Sequence, residues 1–131
     1  MIACIKYENL LDKDGNQKYD NMEEAKEEAD FMVKKFKKMN YVVKLCINPT
    51  RVELNKLFKD IQNMIEKEFI KTNKRILLHF YYTGHGMMKE LTYAVLNEPT
   101  LTKALFPIER NIRTLSSYKN TAVYLLLDCC R

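Results

Sequence analysis

Apolar residues recur every three or four positions along two stretches of the chain, which is the period of an amphipathic helix. In the first stretch they stand at positions 22, 25, 29, 32, 36 and 39, with lysines and glutamates between them. In the second they stand at positions 54, 57, 61, 64 and 65, after Thr50-Arg51-Val52-Glu53, whose spacing is that of a capping box. The pattern predicts one helix over Met22–Met39 and another from Thr50 to about Phe69.

Four short runs rich in apolar residues flank these helices and predict strands. They cover residues 2–5, 41–47, 75–82 and 121–127. The third contains Ile76-Leu77-Leu78, a continuous apolar run that is typical of a strand buried on both faces. The fourth, with six apolar residues in succession after its first residue, predicts the last strand of the sheet.

Between the last two strands the pattern is weaker. It indicates a hairpin around Leu91 to Leu96 and a helical period over Leu105 to Tyr118 that Pro107 interrupts. Strands that alternate with helices predict an α/β fold, here a three-layer α/β/α sandwich with a mainly parallel sheet and right-handed crossovers. Residues 1–131 show no internal repeat or boundary and are expected to belong to one domain.

The net charge of +5 does not by itself indicate a nucleic-acid partner. The lysines alternate with glutamates along the predicted helices, which is typical of solvated faces, and no nucleic-acid-binding motif accompanies them. No signal peptide precedes the first strand, and no apolar run is long enough to cross a bilayer. We therefore expect a cytoplasmic protein that binds neither nucleic acid nor a membrane.

The four cysteines are Cys4, Cys46, Cys129 and Cys130, and none has a Cys-x-x-Cys spacing, so a metal site is not expected. Cys4 and Cys46 lie in predicted buried strands, where a thiol behaves as a small apolar side chain. Cys129 and Cys130 are adjacent and should point to opposite faces of their strand.

Two motifs carry candidate chemistry, and each follows a predicted strand. One is Phe80-Tyr81-Tyr82-Thr83-Gly84-His85-Gly86, and the other is Asp128-Cys129-Cys130-Arg131 at the end of the chain. A histidine between glycines and a cysteine beside charged residues are a candidate general base and nucleophile. They meet where α/β folds place their chemistry, at the carboxyl ends of parallel strands. Each alone has a plainer alternative, a surface-turn histidine or a buried thiol, and the mid-strand His79 is expected to be structural.

Together the two motifs resemble those of the caspase-like cysteine peptidases, which include caspases, metacaspases and paracaspases. That family has a Ser/Thr-Gly-His-Gly motif and a catalytic cysteine roughly 50 residues downstream, in patterns such as Asp-x-Cys. Cys130 aligns with this cysteine because it precedes Arg131 and lies two residues after Asp128. The resemblance extends over the chain, with segments similar to the family's first strand, first helix and second strand-to-helix passage at 3–5, 28–41 and 48–57.

The resemblance implies a cysteine-type endopeptidase with His85 and Cys130 as its catalytic dyad. It assigns the oxyanion donors to the backbone N–H groups of Gly86 and Cys130. Asp128 stands where metacaspases and paracaspases carry an acid at the base of the primary pocket, and Glu28 aligns with the acidic residue that helps to line it. Two such acids imply cleavage after Arg or Lys. The alternative for Glu28 is that it belongs only to a solvated acidic run. No metal or organic cofactor is implied, and calcium dependence stays open because no calcium loop is recognisable.

By the same resemblance, residues 1–131 are the N-terminal, large-subunit portion of the domain, truncated after the catalytic-cysteine strand. The implied partners are protein or peptide substrates and the small-subunit half of the same domain. An open last strand would also favour self-association, and the isolated piece is expected to be inactive. Two alternatives stay open: a non-catalytic caspase-like scaffold or regulatory module, and a redox sensor that uses the adjacent Cys129 and Cys130.

Overall fold

The computed structural model describes residues 1–129, which form strands and helices in alternation. In chain order these elements are β1 (Ile2–Ala3), α1 (Glu24–Lys38), β2 (Cys46–Ile47), α2 (Arg51–Thr72), β3 (Ile76–Thr83), β4 (Gly86–Met88), β5 (Thr92–Val95), α3 (Leu101–Ala104), β6 (Leu105–Phe106), α4 (Ile108–Ser116) and β7 (Thr121–Asp128).

The main sheet has the order β2-β1-β3-β7, and all of its pairs are parallel. Its longest ladder joins β3 to β7 in a register that runs from Ile76 opposite Thr121 to Thr83 opposite Asp128. A second, antiparallel sheet has the order β4-β5-β6. The predicted α/β architecture with a mainly parallel sheet is confirmed.

Helices pack on both faces of the main sheet. On one face Ala25 and Ala29 of α1 pack against Ala3 of β1 and against Ile5, two residues after it. On the other face α2 and α4 contribute to the larger core, where Phe58 of α2 stacks on a ring of β3. Side chains alternate between the two faces along a strand, so β1 and β3 deliver apolar groups to both layers.

The two predicted long helices are confirmed. The capping box at the start of α2 is complete: the Thr50 hydroxyl accepts from the Glu53 amide at 3.2 Å, and the Glu53 carboxylate accepts from the Thr50 amide at 2.8 Å. The helix runs three residues beyond the expected end and stops at Asn73, whose φ of 48° is left-handed.

Three expectations about the strands are wrong. The first strand was expected over residues 2–5 but covers only Ile2–Ala3. The second strand was expected over residues 41–47 but covers only Cys46–Ile47, because its partner β1 begins at Ile2 and gives residues 41–45 nothing to pair with. The central run of β3 is not buried on both faces, since Leu77 is 44% exposed. Helix α1 packs mainly on β1, and it leaves Leu77 of β3 and Tyr124 and Leu126 of β7 exposed on the same face.

The weakly patterned region contains the hairpin, which forms the small antiparallel sheet together with β6. The hairpin pairs Gly86–Met88 with Thr92–Val95, so it begins directly after His85. Pro107 separates β6 from α4 and occupies the N-cap of that helix. The last strand, predicted over 121–127, is confirmed and lies at one edge of the main sheet.

Candidate functional site

The two sequence motifs meet at the carboxyl edge of the main sheet. The Thr83–Asp128 pair ends the ladder between β3 and β7, and the Gly84 amide donates to the Asp128 carbonyl oxygen at 3.3 Å. The loop that carries His85 is therefore joined directly to the end of β7. The sequence predicted that the two motifs lie close together, and this is confirmed as far as Cys129. Cys130 and Arg131 lie outside the described residues.

Gly84 makes the turn between β3 and His85 possible. Its φ of 143° lies in the region that residues with a side chain rarely adopt. A Cβ atom there would stand 2.8 Å from the hydroxyl oxygens of both Tyr7 and Tyr82, and 3.0 Å from the Cβ of Cys4. Glycine is thus required both by the backbone angle and by the close approach of two buried tyrosines.

Those two tyrosines hold the backbone of His85 from both sides. The Tyr82 hydroxyl donates to the His85 carbonyl oxygen at 2.6 Å, and the His85 amide donates to the Tyr7 hydroxyl at 2.8 Å. The Tyr7 hydroxyl in turn donates to the Cys4 carbonyl oxygen at 2.9 Å. Burial raises the pKa of Tyr82 well above its usual range and also raises that of Tyr7, so both hydroxyls keep their protons.

The His85 imidazole is half-buried between two aromatic rings. Its centroid lies 4.8 Å from that of Tyr7 and 4.9 Å from that of Tyr19. Its Nε2 atom is 2.9 Å from the carbonyl oxygen of Asp20. Because a carbonyl oxygen only accepts hydrogen bonds, Nε2 carries the hydrogen, and Nδ1 is the basic atom of the neutral ring.

The Gly86 amide is turned away from the hairpin partner of its own strand. The Val95 amide donates to the His85 carbonyl oxygen at 2.9 Å, so His85 is the residue whose backbone faces β5. Alternation along an antiparallel pair then directs the N–H of Gly86 to the opposite side.

Asp128 and Glu28 approach the same face of β3. The Tyr81 hydroxyl donates to Oδ2 of Asp128 at 3.1 Å, and the Thr83 hydroxyl donates to Oε2 of Glu28 at 3.2 Å. Burial, the hydrogen bond to Asp128 and the charges of both carboxylates together raise the pKa of Tyr81 to about 12. Within residues 1–129 neither carboxylate forms a salt bridge with a lysine or arginine.

Cys129 lies on the opposite face of the sheet from Asp128. Its half-buried side chain packs against the larger core, and its charge would raise the pKa of Tyr7 and Tyr82. The predicted burial of Cys4 is confirmed, and burial raises the pKa of its thiol to about 12. Cys46 is only partly buried.

His79, expected to be structural, belongs to an exposed aromatic cluster rather than to this site. Its Nε2 is 3.1 Å from the Tyr41 hydroxyl, and its ring stacks on Tyr124 with a centroid distance of 5.2 Å. In the part of the chain that the structure describes, no helix is long and apolar enough to cross a membrane, and no group of three acidic, cysteine or histidine residues could hold a metal ion.

Comparison with known protein families shows to which family the chain belongs. The profile of the caspase domain matches residues 15–131, which is most of the chain. The chain belongs to the caspase domain family. No curated protein and no solved structure was found to match it significantly. Members of the caspase domain family are cysteine peptidases, and caspase-like proteases act on protein substrates.

The family match confirms the resemblance at the level of caspase-like cysteine peptidases, and the narrower grouping with metacaspases or paracaspases stays a prediction. Sequence reasoning missed the residues that support the histidine of this caspase domain. Tyr82 lies inside the motif from Phe80 to Gly86, and its phenol was the available signal. Tyr7 is separated from His85 by most of the chain, and no local pattern marks it.

Proposed function

We propose that this caspase domain acts as a cysteine endopeptidase with His85 as its general base and Cys130 as its nucleophile. The observation that carries the proposal is the hydrogen bond between Nε2 of His85 and the Asp20 carbonyl oxygen, because it leaves Nδ1 as the proton acceptor. Cys129 packs against the core, which supports the second cysteine of the pair as the nucleophile. A carbonyl that orients a histidine base beside a thiol is the arrangement that activates cysteine.

The reaction is amide hydrolysis through a thioester. The Cys130 thiol gives its proton to Nδ1 of His85, and the sulfur attacks the scissile carbonyl carbon. The C–N bond then breaks, and His85 returns the proton to the departing amine. Water, deprotonated by His85, cleaves the thioester and releases the acid, and the thiol regains its proton. The Gly86 and Cys130 amides would stabilise the oxyanion, and loss of one such donor costs about 3–4 kcal/mol in the barrier.

The proposed specificity is cleavage after Arg or Lys. Glu28 and Asp128 are both held by hydroxyl groups of β3, on the face opposite Cys129. Two carboxylates without a basic partner among residues 1–129 favour a cationic side chain, and arginine can bind a carboxylate through two hydrogen bonds. The non-catalytic scaffold is not favoured, because Tyr7, Tyr82 and Asp20 all hold His85 through hydrogen bonds.

The remaining proposals concern the whole protein. Residues 1–131 would be the large-subunit portion of the domain, working with a small-subunit half and acting in the cytoplasm without a cofactor. Because β7 lies at the edge of the main sheet, the isolated piece would self-associate through it and would show negligible peptidase activity.

A fluorogenic peptide series on the full-length protein tests the function. The peptides differ only in the residue before the scissile bond, and we expect those with Arg or Lys to be cleaved and the one with Asp to be cleaved poorly. His85→Ala and Cys130→Ala should each lower kcat/KM by about 10³-fold or more. His79→Ala, the matched histidine control, should change it by less than about threefold because His79 lies in the exposed aromatic cluster.

Labelling with an electrophilic peptide separates the two cysteines. We expect the adduct on Cys130 and none on Cys129 in the intact protein. An adduct that forms on Cys129 and survives Cys130→Ala would contradict the assignment, and so would undiminished turnover by the His85→Ala variant.

A further inference from the structure

Tyr81 of β3 lies beside both carboxylates of the proposed cationic pocket. Its hydroxyl donates to Oδ2 of Asp128 at 3.1 Å. Burial is the first cause of its raised pKa, followed by the hydrogen bond to Asp128 and the charges of Asp128 and Glu28. Only 6% of the surface of Tyr81 is exposed, so packing holds its ring in place. The hydroxyl is therefore a fixed donor beside the two acids.

Tyr81 is also the residue that restrains the Asp128 carboxylate. Asp128 is the last residue of β7, and its side chain is exposed. Within residues 1–129 no backbone amide and no other side chain donates to this carboxylate, and no lysine or arginine pairs with it. The bond engages Oδ2, so Oδ1 has no donor among these residues. Loss of the phenol hydroxyl would release the carboxylate to rotate about its side-chain bonds.

Glu28 is held in the same way, two residues further along β3. The Thr83 hydroxyl donates to Oε2 of Glu28 at 3.2 Å. The side chains of Tyr81 and Thr83 lie on one face of the sheet, and Asp128, which is opposite Thr83 in the register, lies on the same face. A hydroxyl group of β3 thus holds each acid through one oxygen. The pocket presents two oriented carboxylates rather than two freely rotating charges.

The orientation of a carboxylate matters differently to the two basic side chains. A guanidinium group is planar and its N–H groups point in fixed directions, so its hydrogen bonds depend on where the acceptor oxygens lie. An ammonium group is a compact charge with three rotatable donors, and it can follow a carboxylate that rotates. Two held carboxylates therefore favour arginine, whereas two free ones would bind arginine and lysine about equally.

We propose that Tyr81 is a specificity-determining residue, which makes the pocket prefer Arg to Lys before the scissile bond by fixing the orientation of Asp128. The inference rests on the proposed function and narrows its substrate class to peptides cleaved after arginine. Tyr81 is a positioning residue in this role, because it acts through the Asp128 carboxylate rather than on the reacting atoms.

Two fluorogenic peptides that differ only in having Arg or Lys before the scissile bond test this preference on the full-length protein. Tyr81→Phe keeps the ring and removes the hydroxyl. We expect kcat/KM for the Arg peptide to fall by about tenfold, mainly through a higher KM, and kcat/KM for the Lys peptide to fall by less than about threefold. The ratio of the two values does not depend on the fraction of protein that is folded. An unchanged ratio would overturn the inference.

Two controls separate this role from a general effect of the substitution. Tyr118→Phe also removes a hydroxyl that donates to a carboxylate, Oε1 of Glu66 at 2.9 Å, but Tyr118 lies before the amino end of β7, away from the pocket. It should change the Arg/Lys ratio by less than about twofold. In an Asp128→Ala background, Tyr81→Phe should not change the ratio further, because Tyr81 acts through that carboxylate. In either control, a change as large as that of Tyr81→Phe alone would contradict the role.

Binding to the full-length Cys130→Ala variant distinguishes failure of this inference from failure of the proposed function. Labelled forms of the two peptides are titrated by fluorescence anisotropy. Adding Tyr81→Phe should weaken binding of the Arg peptide by about tenfold and that of the Lys peptide by less than about threefold. If this preference is found but the intact protein cleaves neither peptide, the peptidase proposal fails and the role of Tyr81 stands.

The opposite result is equally distinct. If the intact protein cleaves after Arg or Lys and Tyr81→Phe leaves the ratio unchanged, this inference fails and the peptidase proposal stands. Absence of binding of both peptides to the Cys130→Ala variant would overturn the role of Tyr81 as well.

Discussion

The hydroxyl of Tyr82 lies 2.6 Å from the carbonyl oxygen of His85, three residues further along the chain. This hydrogen bond closes the turn at Gly84, and its donor is buried beneath the loop with 1% of its surface exposed. Together with the Tyr7 hydroxyl, which accepts from the His85 amide, it restrains the peptide groups on both sides of the histidine. The imidazole position thus depends on two phenols that are outside the proposed dyad.

Tyr82→Phe removes the donor and keeps the ring. We expect kcat of the full-length protein to fall by about tenfold with KM little changed, because the histidine loses its restraint while the substrate contacts remain. The free energy of unfolding should fall by about 1–2 kcal/mol for the unmade hydrogen bond. Steady-state kinetics and urea unfolding measure the two effects. Tyr124→Phe, at an exposed position on β7, is the control, and an equal loss of kcat there would contradict the positioning role.

Gly84→Ala tests the crowded turn. A Cβ atom would stand 2.8 Å from two tyrosine hydroxyls at a φ of 143°, so we expect a loss of about 2–4 kcal/mol in the free energy of unfolding. Gly15→Ala is the matched control, because Gly15 also has a positive φ, of 82°, but has open space around it. That change should cost about 1 kcal/mol. Similar losses at the two glycines, measured by urea unfolding, would show that the tyrosines do not crowd the turn.

Asp128→Asn tests the proposed cationic pocket. It removes one charge and keeps the shape, so kcat/KM for an Arg peptide should fall by about 10²-fold, with a much smaller change for a peptide that has a neutral residue at that position. Glu28→Gln should act in the same direction. Asp60→Asn, on the exposed surface of α2, is the control and should have no effect. Unchanged preference for Arg over neutral peptides in Asp128→Asn would refute the pocket assignment.

Stability should decline at alkaline pH because Cys4 is buried as a neutral thiol. Burial raises its pKa from 9.0 to about 12, so the folded state holds the proton more tightly than the unfolded state. The stabilisation is fully present below about pH 9 and is lost as the pH rises toward 12, at up to about 1.4 kcal/mol per pH unit. Urea unfolding between pH 8.5 and 10 measures the slope. Cys4→Ala should flatten it, and an identical slope in wild type and variant would contradict this prediction.

The elements that could be predicted from the sequence are those whose causes are local. Thr50 and Glu53 are one helical turn apart, so their reciprocal capping bonds follow from spacing alone. The apolar positions of α1 and α2 repeat with the helical period, so each helix could be predicted from its own stretch of sequence. The Gly-His-Gly and Asp-Cys-Cys motifs were likewise visible because each is contiguous, and alternation of strands with helices was enough to bring them to one edge of the sheet.

Tertiary structure decided what depends on partners distant along the chain. The length of the second strand follows from where β1 offers it hydrogen bonds, and the exposure of Leu77 follows from where α1 packs. The Tyr7 hydroxyl reaches the His85 amide only because β1 and β3 are neighbours in the sheet. Local pattern encodes the period of an element and the cap of a helix. Contacts between elements depend on the order of the strands and on where the helices pack, which no short stretch of sequence contains.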